Sequence, residues 1–370
     1  MIKSLMVGLT EKDMQAEVNS YNLNDFYFPT IFPLKKTYSL DWKTLKTTVG
    51  LHIAADLVAR GTSLDAKTRN VLKRIEGSIP KIAIERKKDE EELNEYDIMV
   101  AMTSGDADLR QLVEAWAEDT QFCWTGVATR IEWMALHQMS HGGKIRVTSE
   151  NNAHVVSEYN ADYDIPADQK LGTSVAWSDS NNAKPLSVDF KNAIKASRAT
   201  KKGGIRLKYA WMNTDTFNQF VETEEVQKAC ATYAANALNM QQIPDLAAVN
   251  SSLAKIPYLY GLQIIVVDQD VTVEFMDGSQ VSGNPFATNV VLFTENKQLG
   301  YTYYKEPIDM KIQGTAAIKV LNGPICVKKF ANEEPVEEVT QGIANAFPGW
   351  SGSERSYHLD TKNSSWSEGA

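Results

Sequence analysis

Cysteine is scarce in this sequence. Cys123, Cys230 and Cys326 are the only three in 370 residues. An odd number at wide spacing argues against a disulfide framework and a zinc ribbon, and fits synthesis in a reducing cytoplasm. Long hydrophobic runs are also missing. None approaches the roughly 18 to 20 apolar residues that cross a bilayer, so no membrane is expected among the partners. The stretch from Met1 to Leu9 holds one lysine and a short apolar patch without a signal-peptide core, and reads as mature protein. Concentrated positive charge is the third absence. Lys and Arg number 38 against 47 Asp and Glu, for a net charge of -9. Basic residues adjoin in short pairs such as Lys201-Lys202 and Lys328-Lys329. Gripping a phosphate backbone takes a dense basic face, so sequence-specific nucleic-acid binding is not expected.

Motifs that carry chemistry are missing as well. His137 and His141 stand four apart, so one helix face could offer both to a metal. A zincin needs Glu after the first His, where this chain has Gln138, and no third ligand is evident. Asn160, Asp162 and Asp164 imitate the start of a calcium loop but lack its sixth-position Gly and closing Glu, as an acidic surface loop would. Neither Gly142-Gly143 nor Gly203-Gly204 continues into the Gly-Lys-Ser/Thr of a phosphate loop. A serine nucleophile elbow is absent, and Cys123 and Cys326 sit in apolar runs that suit core packing. The expectation is no catalytic residue, no cofactor and no metal: the chain is not read as an enzyme.

What is present is ordered layout, in a chain long enough for two or three packed units. Residues 1–40 read as an arm, and within it Phe26-Tyr27-Phe28-Pro29-Thr30-Ile31-Phe32-Pro33 is aromatic and twice broken by proline, which predicts an extended segment whose rings bury against another part of the chain or another subunit. From Gly50 to Lys88, Leu51, Ile53 and Ala55, then Ile82 and Ile84, repeat with period two. They predict a long two-stranded excursion with a polar tip. Glu85 to Glu92 is a dense mixed-charge run, either a solvated face or an electrostatic contact with a neighbouring copy.

A helix of about 45 to 50 Å is predicted from Asp108 to His141. Leu109, Leu112, Val113, Trp116, Cys123, Val127, Ile131, Met134 and Gln138 form its stripe, Asp106 or Asp108 its N-cap and Gly142-Gly143 its αL stop. Downstream, Lys144–Thr148 and Ala153–Val156 suggest a hairpin, Pro185–Arg198 a helix, Ile205–Tyr209 a strand, and Asp215 onward and Glu224–Leu238 helices. Leu262–Val267 reads as a buried strand, and Val271–Phe275 turns through Asp277-Gly278 into a hairpin. Between Pro285 and Pro348, strands are expected at Asn289–Leu292, Gly300–Tyr304 and Ile318–Leu321. Residues 351–370 read as a loose tail in which Trp366 docks.

Taken in order, the aromatic arm (Phe28, Phe32, Pro33), the loop ending at Pro80-Lys81-Ile82, the charged run, the helix closed by Gly142-Gly143-Lys144 and the later strands resemble one family. It is the lambda-like major capsid proteins of tailed bacteriophages, the major capsid protein E family, across Phe26 to Pro348. The resemblance implies an α+β, HK97-like capsid fold. Its expected parts are an N-terminal arm (1–40), an extended E-loop with flanking strands (41–95) and a peripheral domain with the spine helix 108–141 (96–185). An axial domain of mixed sheet and helices (186–285), return strands of the peripheral domain (286–350) and a C-terminal tail (351–370) complete it.

It further implies self-assembly into hexamers and pentamers of an icosahedral virion shell that encloses double-stranded DNA without sequence-specific binding, assembled in the bacterial host cytoplasm. A separate scaffold protein and a portal are the implied partners, and the presence of a decoration protein is left open. Lys67 and Lys73 lie in the loop where some relatives cross-link Lys to Asn, although no paired Asn with a buried acid is identifiable here. The alternatives are an encapsulin-like nanocompartment shell of the same fold, and a cytoplasmic enzyme gathering His137, His141 and acids in one pocket.

Overall fold

A computed structural model describes residues 4–5, 10–46, 73–102, 106–153, 160–198, 204–231, 243–259, 261–275, 277–312 and 317–367. In chain order the elements begin with α1 (Glu11–Ser20), α2 (Phe28–Ile31), β1 (Leu34–Lys36), β2 (Asp41–Lys46), β3 (Lys73–Ser78) and β4 (Lys81–Lys88). Then come α3 (Glu90–Met102), α4 (Asp106–Ser140), β5 (Lys144–Arg146), β6 (Asn160–Asp162) and β7 (Lys170–Gly172). A π-helical turn (Pro185–Phe190) runs into α5 (Lys191–Ser197), followed by β8 (Tyr209–Asn213), α6 (Thr214–Glu222), α7 (Glu224–Cys230) and α8 (Leu246–Leu253). The remaining strands are β9 (Gln263–Val267), β10 (Val271–Glu274), β11 (Gln280–Gly283), β12 (Val290–Thr294), β13 (Gly300–Lys305), β14 (Ile318–Asn322), β15 (Ile325–Glu333), β16 (Val336–Trp350) and β17 (Tyr357–Asp360). The chain divides into two compact units, one of Met1–Trp42, Glu76–Ala135 and Gly300–Gly349, the other of Lys43–Ile75, Leu136–Leu299 and Trp350–Ala370.

The first unit is built on a six-stranded sheet ordered β1-β13-β16-β15-β14, with β4 also paired to β16. The 15-residue β16 is its axis: antiparallel β15 runs along Val336–Ala344, and antiparallel β4 along Glu338–Asn345. Helix α4 lies across this sheet. Of its predicted stripe, Cys123, Val127 and Ile131 are fully buried. Two glycines set how closely it approaches: a β-carbon at Gly342 of β16 would fall 2.3 Å from the Cys123 carbonyl oxygen, and one at Gly126 of α4 would fall 2.7 Å from Ile84 of β4.

The excursion is partly as expected. Strands β2 and β3 do pair with each other, and its tip, with Leu51 to Lys67, lies outside the described residues. The Ile82 and Ile84 strand, however, is β4 and belongs to the sheet.

The arm is not extended. Thr10 opens α1 with a capping box, its hydroxyl accepting the Asp13 N–H while the Asp13 carboxylate accepts the Thr10 N–H. Pro29 stands in the first turn of α2, where its missing N–H costs nothing. The aromatic rings are indeed buried, Phe28 and Phe32 both fully. The charged run also splits in two. Asp89 caps α3 by accepting the Glu91 and Glu92 N–H groups, and Glu92 accepts the Asp89 N–H in return.

The second unit centres on a five-stranded sheet ordered β7-β17-β12-β8-β9. The π turn, α5, α6 and α8 pack on it around Trp177, Phe190, Phe220 and Phe293. The aromatic core is locked by geometry: Phe190 stacks on Phe220 at 5.4 Å and meets Phe293 edge-on at 5.1 Å.

Three expectations are corrected in this unit. The tail is not loose: Tyr357, His358, Leu359 and Asp360 form β17, buried between β7 and β12. Strand β5 pairs with β6, three residues that were read as loop, and residues 154–156 of the expected partner lie outside the described residues. The strand expected at Ile205–Tyr209 starts only at Tyr209. Ile205 and Leu207 still alternate into the core, but the Ile205 N–H is taken by the Ser197 carbonyl at 3.0 Å rather than by a strand. Helices α6 and α7 begin where expected, and α7 ends at Cys230. The Asp277-Gly278 hairpin is present as β10 and β11.

Candidate functional site

The residues that suggested chemistry do not converge. His137 and His141 stack on each other at 3.6 Å, and the His141 ring Nδ1 lies 2.9 Å from the His137 carbonyl oxygen, which ties it to its own helix end. Gly142 and Gly143 stop that helix with φ of 64° and 77°, and the Gly143 N–H returns to the Gln138 carbonyl. Asp162 faces Lys144 across the β5–β6 pair, and its carboxylate accepts the N–H of Asp164, which sits at positive φ. Among the described residues, no group of three or more His, Cys, Asp or Glu could hold a metal ion. Burial pushes the Cys123 thiol up to about 12 and the Cys326 thiol up to about 11, so both stay protonated, as core groups do.

What the first unit gathers instead is a set of buried charges. Fully buried Lys329 on β15 lies 3.8 Å from Glu338 on β16. Glu338 also accepts the Ser4 hydroxyl at 2.5 Å and the Leu5 N–H at 2.8 Å. Beside this pair, Asp119 of α4 takes Lys88 at 2.9 Å and Arg86 at 3.4 Å. Lys87 reaches Glu337 at 3.2 Å on the neighbouring strand. Removal from water lowers the Lys329 ammonium to about 8, although Glu338 and then Asp119 pull the other way.

Glu132 on α4 is buried too, and it accepts the Tyr27 and Phe28 N–H groups at 2.8 and 2.7 Å. Its carboxyl is pushed up to about 7 by burial, against the pull of those two donors. These arrangements bind strand to helix and the chain start to the sheet. The cations of the mixed-charge run, Arg86 to Lys88, are therefore used inside the subunit. Sequence reasoning missed the roles of Glu132, Lys329 and Glu338. Only the rarity of an acid in an apolar helical stripe could have marked Glu132.

The surface carries the opposite signal. Tyr38 is 91% exposed, and Leu40, Ile308 and Ile312 are also open to solvent in the first unit. Tyr301 and Tyr303 of β13 flank Lys35 of β1, whose ammonium lies 4.9 and 5.7 Å from the two ring centres. In the second unit Ile243 and Val281 are exposed. Among the described residues, no helix is long and apolar enough to cross a membrane.

No curated protein matches the sequence. The putative capsid protein of an Escherichia coli CFT073 prophage has a similar fold, with a TM-score of 0.58 at 11% identity, over 95% of this chain and 99% of that one. A phage-related protein from Bordetella bronchiseptica RB50 is similar at a TM-score of 0.51 and 12% identity, over 95% of this chain and 96% of that one. The family model described as phage major capsid protein E matches residues 14–345, and with nearly the whole chain covered this protein belongs to that family.

Proposed function

We propose that many copies of this chain assemble into the closed icosahedral head of a tailed bacteriophage or prophage, as hexamers and pentamers, with double-stranded DNA inside. The family match over residues 14–345 carries this reading. The subunit fits it physically, because Lys88–Asp119 and Lys329–Glu338 pair within the subunit while Tyr38, Leu40, Ile308 and Ile312 remain exposed. Many modest, repeated interfaces suffice, since closure multiplies them. A net charge of -9 keeps the wall from adhering to packaged DNA. Residues 41–95 act as the E-loop and its flanking strands, 96–185 with α4 as the peripheral domain, and 186–285 as the axial domain. Residues 286–350 return to the peripheral domain. The protein has no catalytic role. A separate scaffold protein and a portal are its partners, and assembly takes place in the host cytoplasm. Negative-stain microscopy of the protein co-produced with its scaffold tests the proposal: closed shells are expected, and uniform monomers under every condition would overturn it.

A further inference from the structure

His358 of β17 is fully buried in the second unit. Its Nε2 lies 3.1 Å from the Met139 carbonyl oxygen in the last turn of α4, so this nitrogen carries the N–H. Nδ1 is then the bare acceptor, and among the described residues it has no hydrogen-bond partner. The ring meets Trp366 edge-on at 5.3 Å and Trp350 at 6.1 Å. Its charged neighbours have the wrong sign for an imidazolium. Lys170 is its register partner on β7, and His141 follows the end of α4. Leu292, the partner on β12, is apolar. Asp360, the acid of β17 itself, accepts the N–H groups of Lys362 and Asn363 at 2.9 Å and of Ser367 at 3.2 Å. Burial and then the Lys170 charge lower the His358 pKa to about 3, against the pull of the Met139 carbonyl and with His141 adding to them.

His358 holds down both a strand and the turn behind it. Past β17 the chain bends back over β7: the Thr173 N–H donates to the Asn363 carbonyl and the Trp177 N–H to the Thr361 carbonyl, both at 2.9 Å. The fit is close, since a β-carbon at Gly172 would fall 2.3 Å from the Ser364 carbonyl carbon. We propose that residues 357–367, β17 with this turn, form an acid-released strap that leaves the sheet when His358 takes up a second ring proton. A buried imidazolium would have two cationic neighbours and no acceptor for its new N–H, whereas in the open form water solvates it. Strands β12, β8 and β9 stay paired with one another when β17 leaves, so the opening is local. The sign follows from the two forms. Closed, His358 is neutral; open, it titrates as an ordinary histidine near about 6.5, so the open population grows about tenfold for each pH unit below that value.

Hydrogen exchange of the unassembled full chain, read by mass spectrometry between about pH 7.5 and about pH 5 and corrected for the intrinsic amide rate, tests this. Peptides over 357–367 are expected to lose protection about tenfold per unit below about pH 6.5. Those over β9 of the same sheet and β15 of the first unit are expected to keep it. His358→Gln keeps a neutral donor for the Met139 carbonyl and is expected to abolish the slope, while His141→Gln retains it. Unchanged protection of 357–367 in wild type, a parallel loss in β9, a slope that survives His358→Gln, or one that vanishes only in His141→Gln overturns the strap. Should His358→Gln fail to fold, imidazole NMR of wild type decides. A His358 ring still neutral at about pH 5.5 in the closed subunit supports the strap, and one that titrates near about 6.5 with 357–367 still protected overturns it.

Discussion

Gly342 of β16 lies against the main-chain carbonyl of Cys123 on α4, so closely that a β-carbon at 342 would sit 2.3 Å from that oxygen. The Cys123 thiol returns the contact two residues away, donating to the Thr340 carbonyl at 3.3 Å. The long helix therefore rests on the backbone of the longest strand, with no side chain between them. Gly342→Ala must push helix and strand apart, because backbone cannot swing aside. Gly126→Ala meets only the flexible end of Ile84. The expected order of destabilisation in urea is Gly342→Ala, about 1–3 kcal/mol or more, above Gly126→Ala.

Glu132→Ala strands the Tyr27 and Phe28 N–H groups in the interior. Each unpaired buried donor costs about 1–3 kcal/mol, so a loss of about 2 kcal/mol or more is expected in equilibrium unfolding of the subunit. Glu132 also leaves a pH signature. Its folded-state pKa of about 7 lies above the ordinary 4.5, so the folded subunit binds the extra proton between those values. Its contribution to stability accordingly falls as pH rises from about 4.5 to about 7 and is level above. Comparing wild type with Glu132→Gln at pH 5 and pH 8 isolates it, because the amide does not titrate.

Lys329→Met leaves Glu338 buried without its cation, and breaking such a pair costs about 3–5 kcal/mol. The double variant Lys329→Met/Glu338→Gln is expected to recover part of that loss. The folded-state pKa of Lys329, lowered to about 8, implies that the unfolded chain binds more protons between about 8 and 10.5. The contribution of Lys329 to stability therefore rises with pH across that window. A denaturation series on wild type and Lys329→Met reads the difference.

Deleting residues 351–370 removes β17 from between β7 and β12, together with Trp366, whose ring meets His358 edge-on at 5.3 Å. The truncated chain is expected to be insoluble or to lose the cooperative melt of the second unit in calorimetry. A tail that only dangled would leave the melt unchanged.

Thiol labelling separates core from surface. Cys123 and Cys326 are buried and Cys230 is half-buried. In the native subunit Ellman's reagent is expected to modify Cys230 first and the other two only after denaturant is added, with mass spectrometry of the labelled peptides as the measurement.

Local signals made much of this fold legible. The α4 stripe and its double-glycine stop act over a few residues, as do the Asp277-Gly278 turn and the starts of α6 and α7, so they appear in sequence as in space. Capping boxes at Thr10-Asp13 and Asp89-Glu92 were equally local and were hidden by the prolines and charges around them. At the candidate site less was readable. The absence of a metal motif and the order of segments that marks the family were plain, whereas the partners of Glu132, Lys329 and Glu338 were not.

The sequence by itself determined, to within two residues, where the long helix α4 starts and stops, which stripe of it is apolar, and which family the chain belongs to. Tertiary structure alone decided that the tail becomes the inner strand β17. It also decided that Ile82 and Ile84 join β16, and that the arm ends on Glu338. The physical reason is range: caps, turns and periodicity are settled by neighbours along the chain. Strand partners such as β4 with β16, and bonds such as that of the Leu5 N–H to Glu338, join segments hundreds of residues apart, where burial and pairing compete only once the chain is folded.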